Sequence, residues 1–172
     1  AEGFLGEVDD LVAAADHLAA LPSVDPDRIY LVGHSTGGTL ALMAAAGTDR
    51  FAGVVAFGPV AYADGYGGEF VYADPEDPAE IRLRSPIHWL HTIATPTWVV
   101  EGTIEGNDHD LKMMQATNDN PHLQFALVDD YDHSTVAGQG SQWFAEHLGE
   151  PVEGLTATEI QRALAAVSAT AP

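Results

Sequence analysis

Short apolar runs alternate with stretches of helical periodicity along this chain. In the first helical stretch, residues 7–20, apolar positions such as Val8, Leu11 and Ala15 recur at a spacing of three or four residues, which is typical of a helix with one buried face. Each of the short apolar runs that follow has the length and composition of a buried strand. These runs are 29–32, 52–57, 97–101 and 123–128. Further helices are predicted at 38–46, 78–91 with a break at Pro86, 109–118, 141–148 and 156–167.

The alternation of buried strands with helices indicates an α/β protein with a mostly parallel sheet and helices on both faces. At 172 residues the chain is long enough for one domain with a substantial core, so residues 1–172 are predicted to form a single domain. The chain contains no cysteine, which excludes disulfides, thiolate nucleophiles and cysteine-ligated zinc.

The segment 60–77 interrupts the pattern of strands and helices. It is rich in glycine, aspartate and aromatic residues and has no clear periodicity. Because it follows the second predicted strand, it would lie at the carboxyl edge of a parallel sheet, where loops commonly contact ligands. A cap or substrate loop is one interpretation, and a loop whose aromatic residues pack back onto the core is the other.

The most informative motif is Gly-His-Ser-Thr-Gly at residues 33–37, between the first predicted strand and the helix after it. A G-x-S-x-G motif on a strand-to-helix turn is the nucleophile elbow of serine hydrolases. The sharp turn needs small residues two positions before and two positions after the serine. Thr36, at the start of the helix, would offer its N–H to an oxyanion. Ser35 is therefore the predicted nucleophile, and the alternative is a serine that only caps the helix.

A serine nucleophile requires a general base, and His133 is the candidate with the best placement. It comes just after the last predicted strand, so we expect it on a loop at the sheet edge that also presents Ser35. An exposed loop histidine without a role is the alternative.

The base in turn requires an orienting carboxylate, which should follow the third predicted strand at the same edge. Glu105, Asp108 and Asp110 all lie there. Glu105 is favoured because it stands three residues past Gly102, close to the end of the strand. Asp108 is the second choice, since Asp108 or Asp110 could instead cap the following helix.

Taken together, the motifs resemble the carboxyl-terminal half of an α/β-hydrolase, and most closely the prolyl-oligopeptidase-like and dienelactone-hydrolase-like branches. The resemblance runs from about residue 7 to residue 147 and implies a serine hydrolase that uses Ser35, His133 and an acid near Glu105. One departure is that the family usually has aspartate at that position. The matching sequences are Val-Asp-Pro-Asp-Arg-Ile at 24–29, Gly-His-Ser-Thr-Gly-Gly at 33–38, Ser-Pro at 85–86, Ile-Ala-Thr-Pro-Thr at 93–97 and Asp-His at 132–133.

The resemblance also implies further strands and an early loop that supplies a second oxyanion N–H, and nothing before Ser35 matches that loop. The expectation is a fragment, a processed subunit or a minimal relative whose elbow strand exposes an edge. The alternative to a working serine hydrolase is a non-catalytic or partner-dependent fragment of an α/β-hydrolase. The expected partners are a small ester, amide or peptide substrate and either a second copy or a complementary N-terminal segment.

The charge of the chain limits its partners further. It has 26 acidic and 6 basic residues and a formal net charge of −20, so neither nucleic acid nor an anionic membrane surface is expected to bind it. Adaptation to high salt is the favoured explanation of this charge, and compositional bias is the alternative. The eight histidines show no metal-ligand spacing, so no metal and no cofactor is expected. The compartment is left open, with the cytoplasm slightly favoured.

Overall fold

The computed structural model describes residues 4–67, 74, 76–148 and 155–168. Its strands and helices alternate from the amino terminus onwards. The strands are β1 (Tyr30–His34), β2 (Gly53–Phe57), β3 (Thr97–Ile104) and β4 (Leu123–Asp132). The helices are α1 (Gly6–Ala19), α2 (Thr36–Gly47), α3 (Pro78–Arg84), α4 (Asp108–Thr117), α5 (His133–His147) and α6 (Ala157–Ser168).

The strands form one parallel sheet in the order β1-β2-β3-β4. Each strand pairs with the next strand along the chain, so all strands end at the same edge of the sheet. Within the described residues β1 forms one side of the sheet, and Val32 on this strand is 43% exposed. Ser35 and His133 follow the first and the last strand at the shared carboxyl edge.

Side chains on successive strand positions point to opposite faces and enter two separate cores. Val54 and Val99 pack with residues of α1, α2 and α4 on one face. Val55 and Val100 pack with residues of α5 and α6 on the other. Helices therefore cover both faces, and the predicted α/β class with a parallel sheet is confirmed.

The structure corrects two of the sequence predictions. Residues 78–91 form the short helix α3 and then tight turns at Pro86–His88 and Leu90–Thr92, rather than one interrupted helix. Helix α5 begins at His133 rather than at residue 141, so His133 is the first residue of a helix and not part of a loop. A capping box between Asp132 and Thr135 starts the helix at this point.

A β-bulge interrupts the pairing of β3 and β4 shortly before His133. Gly102 pairs with Val128 and Ile104 pairs with Asp132, so one residue of β3 faces three residues of β4. Asp130 within this bulge has φ +65°. Bulges of this kind bend the strand and redirect the side chains that follow it, and here α5 then packs over β3 and β2.

The first part of the segment 60–77 packs on the elbow helix. Ala61 and Ala63 are buried, and the Val60 N–H donates to Thr39 Oγ1 over 3.0 Å. Residues 68–73 and 75 of the predicted substrate loop lie outside the described residues. Of the two aromatic residues described here, Tyr66 packs back on the core, whereas Tyr62 is 38% exposed. Contact of this segment with a substrate stays a prediction.

Candidate active site

Ser35 occupies a strained turn between β1 and α2. Its backbone has φ +56° and ψ −119°, a conformation that residues other than glycine rarely adopt. Its N–H donates to the carbonyl oxygen of Phe57 over 2.8 Å, which ties the turn to the end of β2. Although Ser35 is the N-cap residue of α2, a helix whose residues are all described, its side chain makes no capping hydrogen bond. The geometry is therefore that of a nucleophile elbow rather than of a helix cap.

Two glycines allow the strand and the helix to approach each other at this turn. A Cβ on Gly33 would lie 2.1 Å from the carbonyl oxygen of Gly37, and one on Gly38 would lie 2.5 Å from the carbonyl oxygen of Phe57. A Cβ on Gly37 itself would meet nothing within 4 Å. The sequence prediction was correct for Gly33, but the second glycine that close packing requires is Gly38.

His133 lies beside a buried carboxylate, that of Glu101. Its Nδ1 is 2.9 Å from Oε2 of Glu101. The Glu101 side chain is 0% exposed, whereas that of His133 is 24% exposed. With Nδ1–H donated to the carboxylate, the lone pair of Nε2 is available to accept a proton. The contact between Glu101 and His133 has the geometry of the carboxylate–histidine pairs found in acyl-transfer sites.

The Glu101 carboxylate is held by backbone donors as well as by His133. Oε1 accepts from the Gly102 N–H over 2.7 Å, and Oε2 accepts from the Asn107 N–H over 2.9 Å. A Cβ on Gly106 would lie 2.8 Å from the carboxyl carbon of Glu101. A buried charge is tolerated when it accepts enough hydrogen bonds. The backbone donors and His133 provide these bonds to the Glu101 carboxylate.

His34 connects the elbow to His133. Its Nε2 donates to the backbone carbonyl oxygen of His133 over 2.9 Å, and the two ring centroids are 4.5 Å apart. The residue before the predicted nucleophile therefore contacts the predicted base. The structure brings the elbow and His133 together at one place on the carboxyl edge, as the sequence indicated.

The carboxylates predicted to complete the site have other surroundings. Glu105 is exposed, with φ +47°, and it is Glu101 rather than Glu105 that bonds His133. Asp108 pairs with Lys112 at 2.6 Å, and this hydrogen bond lowers the pKa of the Asp108 carboxyl. Asp110 accepts from the Ala61 N–H over 2.7 Å. The sequence favoured Glu105 and then Asp108, but the carboxylate that bonds His133 is that of Glu101.

Glu101 ends an apolar run in the sequence, and this pattern indicates a strand residue rather than a site residue. β3 continues to Ile104. Glu101, which lies within this strand and four positions before Glu105, is the carboxylate beside His133. The sequence feature that points to Glu101 is a glutamate inside a strand predicted to be buried. Such a side chain is almost never fully buried unless it is paired.

Thr36 is the first residue of α2, and the first N–H groups of a helix have no acceptor within it. Its placement next to Ser35 suits the predicted oxyanion donor. Tyr66 lies close by, with its hydroxyl 2.7 Å from Thr39 Oγ1. Burial raises the pKa of the Tyr66 phenol, while hydrogen bonds with Thr39 and Thr36 oppose the increase.

Across the part of the chain that the structure describes, no group of three or more histidine, aspartate or glutamate side chains is placed to hold a metal ion. In the same residues, no helix is both long and apolar enough to span a membrane.

A parallel sheet with a nucleophile elbow after one strand and a carboxylate-bonded histidine after another defines an α/β-hydrolase domain. Residues 5–148 match the Prolyl oligopeptidase family. The match covers most of the chain, and the chain belongs to the prolyl oligopeptidase family.

Similar proteins agree with this assignment and are considerably longer. NocK of Nocardia uniformis subsp. tsuyamanensis, a predicted esterase, is 38% identical over 82 residues, which are 47% of this chain and 20% of NocK. Dipeptidyl peptidase 4 of Porphyromonas gingivalis superposes with a TM-score of 0.69 at 22% identity, over 84% of this chain and 23% of its own. The acylaminoacyl peptidase of Pyrococcus horikoshii gives a TM-score of 0.70 at 16% identity, over 92% of this chain and 30% of its own. This chain thus spans less than a third of each of these proteins.

Proposed function

We propose that this chain carries the nucleophile and the base of a serine hydrolase that cleaves ester, amide or short peptide bonds through an acyl-enzyme. The observation that carries the proposal is the contact of 2.9 Å between His133 and the fully buried Glu101, at the sheet edge where the elbow presents Ser35. Membership of the prolyl oligopeptidase family and the likeness to an esterase and to peptidases support the same class of reaction.

In this proposal Ser35 Oγ attacks the carbonyl carbon of the substrate while His133 Nε2 accepts the hydroxyl proton. Glu101 holds His133 by Nδ1–H and stabilises the imidazolium that forms. The Thr36 N–H donates to the oxyanion of the tetrahedral intermediate. His133 then returns the proton to the leaving alcohol or amine, and water releases the acyl group by the same steps.

The alternative function is that of a catalytic portion that depends on a partner segment. The outer edge of β1 favours this alternative, because it is unpaired within the described residues and Val32 on it is exposed. A segment that pairs there would lie next to the elbow and could supply the second oxyanion donor, whose loss typically costs ~10²–10³-fold in turnover.

Labelling of the purified chain with a fluorophosphonate probe tests the proposal, because the probe modifies an activated serine and not an ordinary one. We expect labelling of the chain and its loss in both Ser35→Ala and His133→Ala, with the fold of each variant checked by circular dichroism. Labelling that persists in folded Ser35→Ala would refute the assignment of the nucleophile. A folded chain that is not labelled would favour the partner-dependent alternative.

A further inference from the structure

Asn107 makes two hydrogen bonds that join the end of β2 to the Glu101–His133 pair. Its backbone N–H donates to Glu101 Oε2 over 2.9 Å, the oxygen that also contacts His133 Nδ1. Its side-chain Nδ2 donates to the carbonyl oxygen of Gly58 over 2.8 Å. One residue thus contacts both the carboxylate and the loop that follows β2.

Gly58 forms the surface against which the pair packs. It has φ +56°, and a Cβ at this position would lie 2.3 Å from His133 Cε1 and 2.7 Å from Glu101 Oε2. Its N–H donates to the Val100 carbonyl oxygen over 2.9 Å. Because the Gly58 backbone is this close to both side chains, a small displacement of Gly58 would change the geometry of the pair.

The side chain of Asn107 is not used for the role that its position suggests. Asn107 is the N-cap residue of α4, where asparagine commonly accepts from the helix N–H groups, yet in this fully described helix it makes no such bond. Its amide instead donates to Gly58. The contact therefore serves the loop after β2 rather than the start of α4.

We propose that Asn107 is a positioning residue that fixes Gly58 against His133 and thereby holds the imidazole with Nδ1–H towards Glu101. The inference rests on the proposed function of that pair, since it assigns Asn107 an effect on the reactivity of Ser35. Asn107 contacts neither Ser35 nor a substrate in this proposal. It acts through Glu101 and Gly58.

Substitutions at both ends of α4 separate positioning from helix stability. Asn107→Ala and Asn107→Asp each remove the Nδ2 donor, and aspartate remains a favoured residue before a helix. The thermal unfolding of both variants is recorded, so that a loss of fold is distinguished from a loss of positioning. Asn118→Ala is the matched control, because the Asn118 amide donates to the Asn120 carbonyl oxygen over 3.1 Å just after α4 ends. The readouts are the rate of fluorophosphonate labelling and the tautomer of His133. The tautomer is followed by NMR of protein with ¹⁵N-labelled histidine and assigned by comparison with His133→Ala.

We expect both Asn107 variants to be labelled about tenfold more slowly, the size of effect that follows loss of one hydrogen bond in a buried pair. We also expect their His133 to shift from the Nδ1–H tautomer towards Nε2–H, while Asn118→Ala matches the wild type. Wild-type rate and tautomer in Asn107→Asp would overturn the inference, as would an equal loss in Asn118→Ala. If the folded wild type itself is not labelled, the partner-dependent alternative is favoured over a self-sufficient hydrolase, and the tautomer comparison alone decides the role of Asn107.

Discussion

Glu101 shows how burial, rather than position in a motif, selects the carboxylate that serves a histidine. A fully buried carboxylate must find donors, and Glu101 has Gly102 N–H, Asn107 N–H and His133 Nδ1 around it. Glu105 is exposed to water, which can solvate its charge without any protein partner. That Ser35 and His133 lie near one edge could be predicted from the sequence, because a turn motif and a chain order place them there. The carboxylate that bonds His133 could not, because Glu101 lies inside β3 and its burial depends on tertiary packing.

At this scale the first prediction concerns the two glutamates. Glu101→Gln should lower the rate of fluorophosphonate labelling by about 10³–10⁴-fold, because an amide at the orienting position favours the wrong histidine tautomer. Glu105→Gln, the matched control, should leave the rate unchanged. Both rates are measured on variants whose thermal unfolding is also recorded. A large decrease in labelling rate in Glu105→Gln with no decrease in Glu101→Gln would instead identify Glu105 as the acid.

Helix α5 shows why element boundaries were harder to predict than elements. Its first turns contain Gly138 and Gly140, which lower helix propensity, so only its later part was predicted. Gly140 is nevertheless required, since a Cβ there would lie 2.4 Å from Cε1 of Phe57. Tertiary packing thus overrides local propensity at the helix that begins with His133. The helix predicted at 156–167 is also present as α6, and Thr156 and Glu159 form a capping box at its start.

The cap of α5 leads to a pH-dependent prediction. Hydrogen bonds from Thr135 and Ser134 at the start of the helix lower the pKa of the Asp132 carboxyl. A lowered pKa in the folded state means that this contribution to stability is complete above the ordinary pKa of aspartate and is lost as the pH falls through the folded-state value. Asp132→Ala should therefore lower the unfolding temperature clearly at pH 7 and much less at a pH at which the wild-type carboxyl is protonated.

Thermal unfolding of wild type and variant at both pH values measures this difference. Asp129→Ala, which changes an exposed aspartate three residues earlier on β4, controls for the general loss of negative charge. A difference in unfolding temperature that is equal at both pH values would show that the ionised carboxylate does not stabilise the helix.

At the scale of the whole molecule, the net charge and the edge of the sheet have opposite effects on self-association. The formal net charge of −20 repels a second copy, and this repulsion reaches about 10 Å at 0.1 M salt but only about 3 Å at 1 M. The outer edge of β1, unpaired in the described part of the chain, offers backbone groups to any strand that can approach. Which of the two dominates depends on ionic strength.

The chain should therefore be monomeric at low salt and associate increasingly as salt is added. Light scattering after size exclusion in a series of salt concentrations measures this. Val32→Lys should reduce the association by placing a charge on the edge strand, whereas Leu21→Lys, at an exposed position after α1, should not. If association does not increase with salt, or is not reduced by Val32→Lys, another surface of the molecule is used. Adaptation to high salt itself stays a prediction.

The order of the strands also determines when the candidate site can exist during synthesis. Each of these strands pairs with the one made just before it, so a growing chain can extend this sheet from β1 to β4 as it emerges. His34 and His133, however, are 99 residues apart along the chain. A nascent chain that has completed β1, α2 and β2 already has its elbow but has no base beside it. Under the proposed function, Ser35 therefore has no base until β4 and the start of α5 have been made and folded.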